Sequence, residues 1–205
     1  YASRSLKMLD AVILAAGLSR RMGTDKTALE ISGKTILTRI VVETLKAEIN
    51  KIVVVTRSPL NLDEYENPRW HYSWRLHNVI NYSPELGMSS SVKLGLAQVR
   101  PQAEAVMIIL ADQVWLNSVV INILIATSQN NIHKIIAPTV RGRRTNPIIF
   151  PAHLFGELQK ITGDMGGRNI LIRHANLVET VELGDKYDDS DVDTPEDYSK
   201  SLYKF

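Results

Sequence analysis

The chain of 205 residues is 44% hydrophobic and 22% charged, with 24 basic and 22 acidic side chains and no cysteine. A chain of this size can bury enough surface to fold without a staple, and the lack of cysteine excludes a disulfide framework, a cysteine zinc site, an iron–sulfur cluster and a thiol nucleophile. The formal net charge of +2 gives no basic excess of the kind that nucleic acid or an anionic membrane attracts, and a reducing cytoplasm suits the composition.

Residues 1–7 read as a loose N-terminal extension, leaving 8–205 as a single domain. The first apolar run, 11–16, is far short of the roughly 20 residues a membrane helix needs. Asp10 and Gly17 bound it and Arg20 and Arg21 follow, which suits a buried strand better than the core of a signal peptide. Further apolar, largely β-branched runs at 51–56, 78–81, 105–110, 134–138 and 146–150 read as strands, most of them buried on both faces. Between them Ile36, Leu37, Ile40, Val41 and Leu45 recur at helical spacing, as do Val92, Leu96 and Val99. The segment 119–125 is apolar nearly all round, so either its helix is deeply packed or the run does not define one helical face. Strands alternating with helices predict βαβ units, hence an α/β fold with a mostly parallel central sheet. Two segments interrupt the alternation, the aromatic and basic 67–77 and the arginine-containing 138–150, and each reads as a loop, an edge strand or an insertion. The first carries only Arg69 and Arg75 beside its histidines, too little charge for stacking on nucleic acid.

The stretch after the first strand, Leu14-Ala15-Ala16-Gly17 through Lys26, is the most informative. Small residues let backbone approach a ligand, and a loop at the carboxyl end of a parallel strand lies where open α/β sheets bind ligands. Free N–H groups there can cradle phosphate oxygens, and Arg21 and Lys26 can neutralise a polyphosphate. An ordinary strand-to-helix turn with exposed basic residues would look similar. Neither G-x-G-x-x-G nor the P-loop fits, because Gly17 is followed only by Gly23, and Gly33-Lys34-Thr35 lacks the upstream glycine, Ala28 standing there.

Further candidates are acidic. Asp112 follows the run 105–111 and should emerge at the sheet's carboxyl edge, where it can bind Mg²⁺ or cap the next helix. Asp191 and Asp193 share strand parity and in an extended segment would face one way, while Asp193-Thr194-Pro195-Glu196 reads as a helix start. The serines after Gly87 can cap a helix or bond a ligand. The five histidines show no metal-ligand spacing and read as surface or structural.

Taken together, Leu14-Ala-Ala-Gly-x-Ser-x-Arg-Met-Gly-x-x-Lys26 resembles the signature of the molybdenum-cofactor nucleotidyltransferases, most closely their cytidylyltransferase branch. The resemblance continues in order through Asn81 with Gly87-Met-Ser-Ser-Ser91 and Gly95-Leu96, Leu110-Ala-Asp-Gln113, Gly142-Arg-Arg-Thr-Asn-Pro147, Gly163-Asp-Met-Gly-Gly-Arg168 and Asp191-Val-Asp-Thr-Pro-Glu-Asp197. Val114, Thr145 and Gly167 depart from the family's usual proline, glycine and alanine. The resemblance implies a three-layer, Rossmann-like nucleotidyltransferase fold. It implies Mg²⁺-dependent transfer of CMP from CTP to the terminal phosphate of a molybdopterin acceptor, with release of pyrophosphate, and a molybdoenzyme or chaperone as partner. By the same resemblance Leu14, Ala15, Ala16, Gly17, Arg21 and Lys26 hold the nucleotide, Asn81, Ser89 and Ser90 face its base and ribose, and Asp112 with Asp193 holds the metal. Arg21, Lys26 and Asp112 are then the catalytic set. CTP is preferred over GTP because Ala16 stands where the guanylyl-transferring branch usually has a second glycine. The alternatives are a transferase using GTP or another acceptor, and a non-catalytic nucleotide- or cofactor-binding delivery protein.

Overall fold

The computed structural model describes residues 8–19, 22–65, 73–165 and 167–203. In chain order its elements are β1 (Leu9–Leu14), β2 (Glu30–Ile31), β3 (Lys34–Thr35), α1 (Ile36–Lys46), β4 (Lys51–Thr56), β5 (Leu76–Ile80), α2 (Met88–Leu96), β6 (Ala105–Leu110), α3 (Ser118–Asn130), β7 (Ile135–Val140), β8 (Arg143–Arg144), β9 (Ile148–Pro151), α4 (Phe155–Leu158), α5 (Arg168–Arg173), β10 (Val178–Glu182) and α6 (Pro195–Leu202). β2 and β3 form a separate small hairpin. The remaining strands make one sheet in the order β10-β7-β9-β6-β1-β4-β5, with β8 paired to β7.

Side-chain alternation along β1 builds the three layers. Ala11 and Ile13 meet α1 and α3 on one face, while Val12 and Leu14 meet α2, α4 and α5 on the other. With both faces covered, β1 is apolar at nearly every position, as buried parallel strands are. Each fully buried aliphatic side chain contributes roughly 1.5–3 kcal/mol, so the two cores hold the strand ends in fixed register. Local sequence starts the helices: the Thr35 hydroxyl accepts from Thr38 N at the head of α1, and Thr194 with Asp197 forms a capping box at the head of α6 with Pro195 in its first turn. Gly95 lets α2 lie close on the sheet, because a Cβ there would stand 2.2 Å from Val12 Cγ1.

The fold is the predicted α/β arrangement with a mostly parallel sheet, and three local expectations change. The segment 138–150 is a loop only in part: β7 runs on to Val140, a turn leads into the short β8, and β9 lies inside the sheet, antiparallel to both β6 and β7. Its Ile149 and Phe150 are fully buried, one on each face. α3 is not buried all round, since Val119 is 66% exposed while Val120, Ile121, Leu124 and Ile125 face the core. β10 was not among the expected strands, because its Val-Glu-Thr-Val-Glu sequence is that of a half-exposed edge. Of the aromatic and basic segment, residues 66–72 lie outside the described residues. Arg75 is buried and donates to Ile49 O and Leu45 O at the end of α1, a structural use of its charge.

Candidate active site

β1, β4 and β6 run parallel and end together, so the loops after them form one edge. Ala15 N still donates to Val55 O (2.8 Å), and Ala111 N donates to Leu14 O (3.2 Å), which keeps the first residues beyond each strand in the sheet. Ala15 and Ala16 are buried and Gly17 is exposed. The chain then turns at Ser19, whose φ of +49° lies in the left-handed region. Ser19 O accepts from Met22 N and Gly23 N, and its hydroxyl accepts from Lys26 N. Asp25 caps the single turn that carries Lys26 by accepting from Thr27 N, and its other carboxylate oxygen pairs with Arg57 beyond the end of β4.

Lys26 lies between two carboxylates from distant parts of the chain. Its Nζ is 2.6 Å from Asp112 Oδ2 and 3.1 Å from Asp193 Oδ1. Burial alone would lower the Lys26 pKa, but Asp112 and then Asp193 outweigh it and raise it above its ordinary value. Val192 N donates to Asp112 O, which draws the acidic C-terminal segment onto the end of β6. Asp112 Oδ1 is buried and has no hydrogen-bond partner among the described residues. Among the described residues Asp191 makes no ion pair with Lys26, and it is exposed as a residue. Even so, protein packed about its carboxyl, then the like charges of Asp112 and Asp193, push it up to about 7.

These groups line a cavity of about 420 Å³, bounded by residues 14–19, Lys26, Asp112, Asp193 and the head of α2. The structure therefore brings Leu14, Ala15, Ala16, Gly17, Lys26, Asp112 and Asp193 to one opening. Arg21 lies outside the described residues. Asn81, Ser89 and Ser90 do not line the cavity. Asn81 is buried, donates to the hydroxyls of Ser90 and Ser91 and accepts from Ser83 N, so it ties the end of β5 to α2. It is Ser91, one residue on, that reaches the cavity wall.

A second cavity of about 510 Å³ adjoins the first through Met88, Leu110 and Asp164. Ile108, Ile148 and Phe150 form an apolar floor, with Arg144, Asn146 and Arg168 around it. Asp164 lies between the two and accepts from Met88 N at the head of α2. Gly87, just before, has φ +86°, and a Cβ there would come 2.6 Å from Asp164 Oδ1. The sequence marks 163–168 as one of the resembling motifs without singling out Asp164. The signal was an acid beside a glycine-rich turn, and its partner lies 76 residues away.

A divalent cation fits this donor set. Two carboxylates converge, and one carries a buried oxygen without a partner among the described residues, an oxygen set that suits a hard cation. No group of three or more His, Cys, Asp or Glu side chains is arranged to hold a metal among the described residues. No helix among them is long and apolar enough to cross a membrane.

Comparison with known proteins bears on the fold and the family. Purine catabolism protein PucB of Bacillus subtilis (strain 168) is 30% identical over 197 residues, covering 93% of this chain and 94% of that protein. A probable molybdenum cofactor guanylyltransferase of Natranaerobius thermophilus is 46% identical over 59 residues, 29% of this chain and 28% of that one. Rv0371c of Mycobacterium tuberculosis H37Rv superposes with a TM-score of 0.80 at 22% identity, over 97% of this chain and 100% of the other. Its complex with manganese superposes at 0.74 and 20% identity, with the same coverage of both chains. A family profile described as the MobA-like NTP transferase domain matches residues 11–178, and the chain belongs to that family of nucleotidyltransferases.

Proposed function

We propose that the protein transfers CMP from CTP to the terminal phosphate of a molybdopterin-type acceptor, with Mg²⁺, and that residues 8–205 act as one catalytic unit. The observation that carries the reading is the meeting of Lys26, Asp112 and Asp193 beside the 14–17 loop, at the mouth of a cavity that opens into a second, apolar one. The name of one sequence relative, a probable molybdenum cofactor guanylyltransferase, supports the acceptor class. A flat heterocycle suits the floor of Ile108, Ile148 and Phe150, and a phosphate suits Arg144 and Arg168.

In the reaction an acceptor phosphate oxygen attacks the α-phosphorus of the triphosphate, the α–β bridging bond breaks, and pyrophosphate leaves with the bond's electrons. The attacking oxygen is already ionised, so positioning and charge neutralisation supply the rate. Backbone N–H groups of the loop beyond Ala15, whose own N–H is held by Val55 O, approach the triphosphate, and Lys26 and Arg21 balance its charge. Asp112 and Asp193 would hold Mg²⁺, which would offset charge developing on the phosphates. Ser91 and the end of β5, fastened by Asn81, border the base side with Ser89 and Ser90 behind them.

The choice of CTP rests on Ala16, whose methyl narrows the loop where a glycine would leave room for a purine. GTP is the second reading, favoured by the 46% identity to a probable guanylyltransferase. Pyrophosphate release measured with each nucleotide, Mg²⁺ and molybdopterin tests both. Faster release with CTP is expected; GTP used at tenfold higher kcat/KM would reverse the donor, and no release with either nucleotide would sink the reaction.

A further inference from the structure

Lys26 stands in the space that a cation would need. Its ammonium touches Asp112 Oδ2 at 2.6 Å and Asp193 Oδ1 at 3.1 Å. A divalent ion bound between the same two oxygens at about 2.1 Å leaves no room for an ammonium there. The lysine side chain is only 15% exposed, so it is enclosed between its partners and does not sample them from solvent. Its own backbone is fixed: Lys26 N donates to the Ser19 hydroxyl, and the turn is capped by Asp25, itself paired with Arg57. The long side chain is therefore the part free to change partner. The remaining oxygen of Asp112, Oδ1, is buried and has no hydrogen-bond partner among the described residues, so the lysine satisfies only one oxygen of that carboxylate.

We infer that Lys26 is the resident counter-ion of the metal site, and that divalent metal enters only together with a nucleoside triphosphate, whose phosphates draw Lys26 off the carboxylates. The inference rests on the nucleotidyltransferase reading of the same site and adds an order to it. Free metal competes with a tethered ammonium and binds poorly. The metal–triphosphate complex brings anionic oxygens that give Lys26 a new partner as the metal takes the old ones. One lysine thus serves two states, and the phosphate cradle and the metal site are never both vacant of positive charge. This avoids the cost of leaving two close carboxylates unpaired in a partly buried place.

The test is Mn²⁺ binding to the nucleotide-free full chain, read by the electron paramagnetic resonance of the free ion. Wild type should bind weakly. Lys26→Met, similar in length and uncharged, should bind Mn²⁺ roughly tenfold more tightly or better, since a unit charge has left the site. Lys26→Arg, which keeps the charge, should stay weak, and adding Asp112→Asn to Lys26→Met should abolish the gain. In the wild type, the Lys26 Nζ resonance should move when Mg²⁺ and a non-reactive triphosphate analogue are added together, and stay with Mg²⁺ alone. That measurement decides the matter should Lys26→Met fail to fold. Equal or weaker Mn²⁺ binding by a folded Lys26→Met, or a lysine resonance that moves fully with Mg²⁺ alone, overturns the exchange. Turnover is scored apart: wild type that releases pyrophosphate without the Mn²⁺ gain sinks only the exchange, whereas no turnover with any nucleotide sinks the reaction.

Discussion

On one side of β6 the sheet is wholly parallel, β6-β1-β4-β5, and its strand ends gather charge: Lys26, Asp112 and Asp193 meet within hydrogen-bond distance. On the other side β9 runs antiparallel between β6 and β7, and the space beside it is apolar, with arginines at its border. The difference has a physical source. Parallel strands end together, so three successive loops can point polar groups at one place. An antiparallel strand reverses that, so β9 contributes its side chains, Ile148 and Phe150, as a floor. In the proposed reaction the first side neutralises the triphosphate and the second takes the flat acceptor.

The comparison breaks most visibly at Asp112. Asp112→Asn should lower kcat about 100-fold or more, ~2.7 kcal/mol of transition-state stabilisation, with partial recovery at high Mg²⁺. Its side chain makes no cap for α3, whose head is held by Asn117, so the melting temperature should move by only a few degrees. Unchanged kinetics and magnesium dependence would leave the charged side without its centre.

Next in size is the join between the two sides. Gly87→Ala puts a Cβ 2.6 Å from Asp164 Oδ1 and 2.7 Å from the Gly163 carbonyl carbon at φ +86°, a strain of about 1–3 kcal/mol. Thermal unfolding should show that loss, and KM for both substrates should rise together, because Asp164 borders both cavities. A rise confined to one substrate would mean that the cavities are independent.

How far the sequence foretold this differs between the sides. The parallel side was legible because motif residues cluster at strand ends: Leu14 to Lys26, Asp112 and Asp193 could be named although Lys26 and Asp193 are 167 residues apart. The detail of α2 was not, since helix phase decides which serine faces the opening, and only packing fixes that phase; Ser91 lines the cavity where Ser89 and Ser90 were named. On the other side, β9 was found as a strand but not its direction, because apolar runs look alike in parallel and antiparallel sheets when both faces are covered. Gly167, where the family usually has alanine, is explained by contact: a Cβ would stand 2.5 Å from Phe150 Cζ.

An effect on one substrate alone sharpens the second side. Arg144→Gln and Arg168→Gln should each raise the acceptor KM, by roughly 1.5–3 kcal/mol if a charge-assisted bond to phosphate is lost, and leave KM for the triphosphate unchanged. Both arginines are exposed, so stability should hold. A change confined to the triphosphate would move the acceptor elsewhere.

The smallest expected effect concerns Asp191, on the rim of the charged side. Its carboxyl is pushed up from an ordinary 3.8 to about 7, by surrounding protein first and then by Asp112 and Asp193, with Asp189 adding to the rise and Lys26 opposing it. Between these values the folded chain holds a proton that the unfolded chain has released. Stability is therefore greatest below that window and falls as pH rises through it towards 7. Asp191→Asn removes the titration, so its stability should match the wild-type trend near pH 4 and exceed it increasingly up to about pH 7, then by a constant amount. The buried Tyr187 hydroxyl, whose pKa is also raised by Asp191 among its neighbours, stays neutral throughout and does not enter the difference. Melting temperatures of both proteins in chelator from pH 4 to 8 measure it. Saturating Mg²⁺ with a triphosphate should shrink the gap, because a cation on Asp112 and Asp193 offsets the charges that oppose ionisation of Asp191. Curves that stay parallel across this range would show that Asp191 ionises freely, and that the charge of the parallel side ends at Asp193.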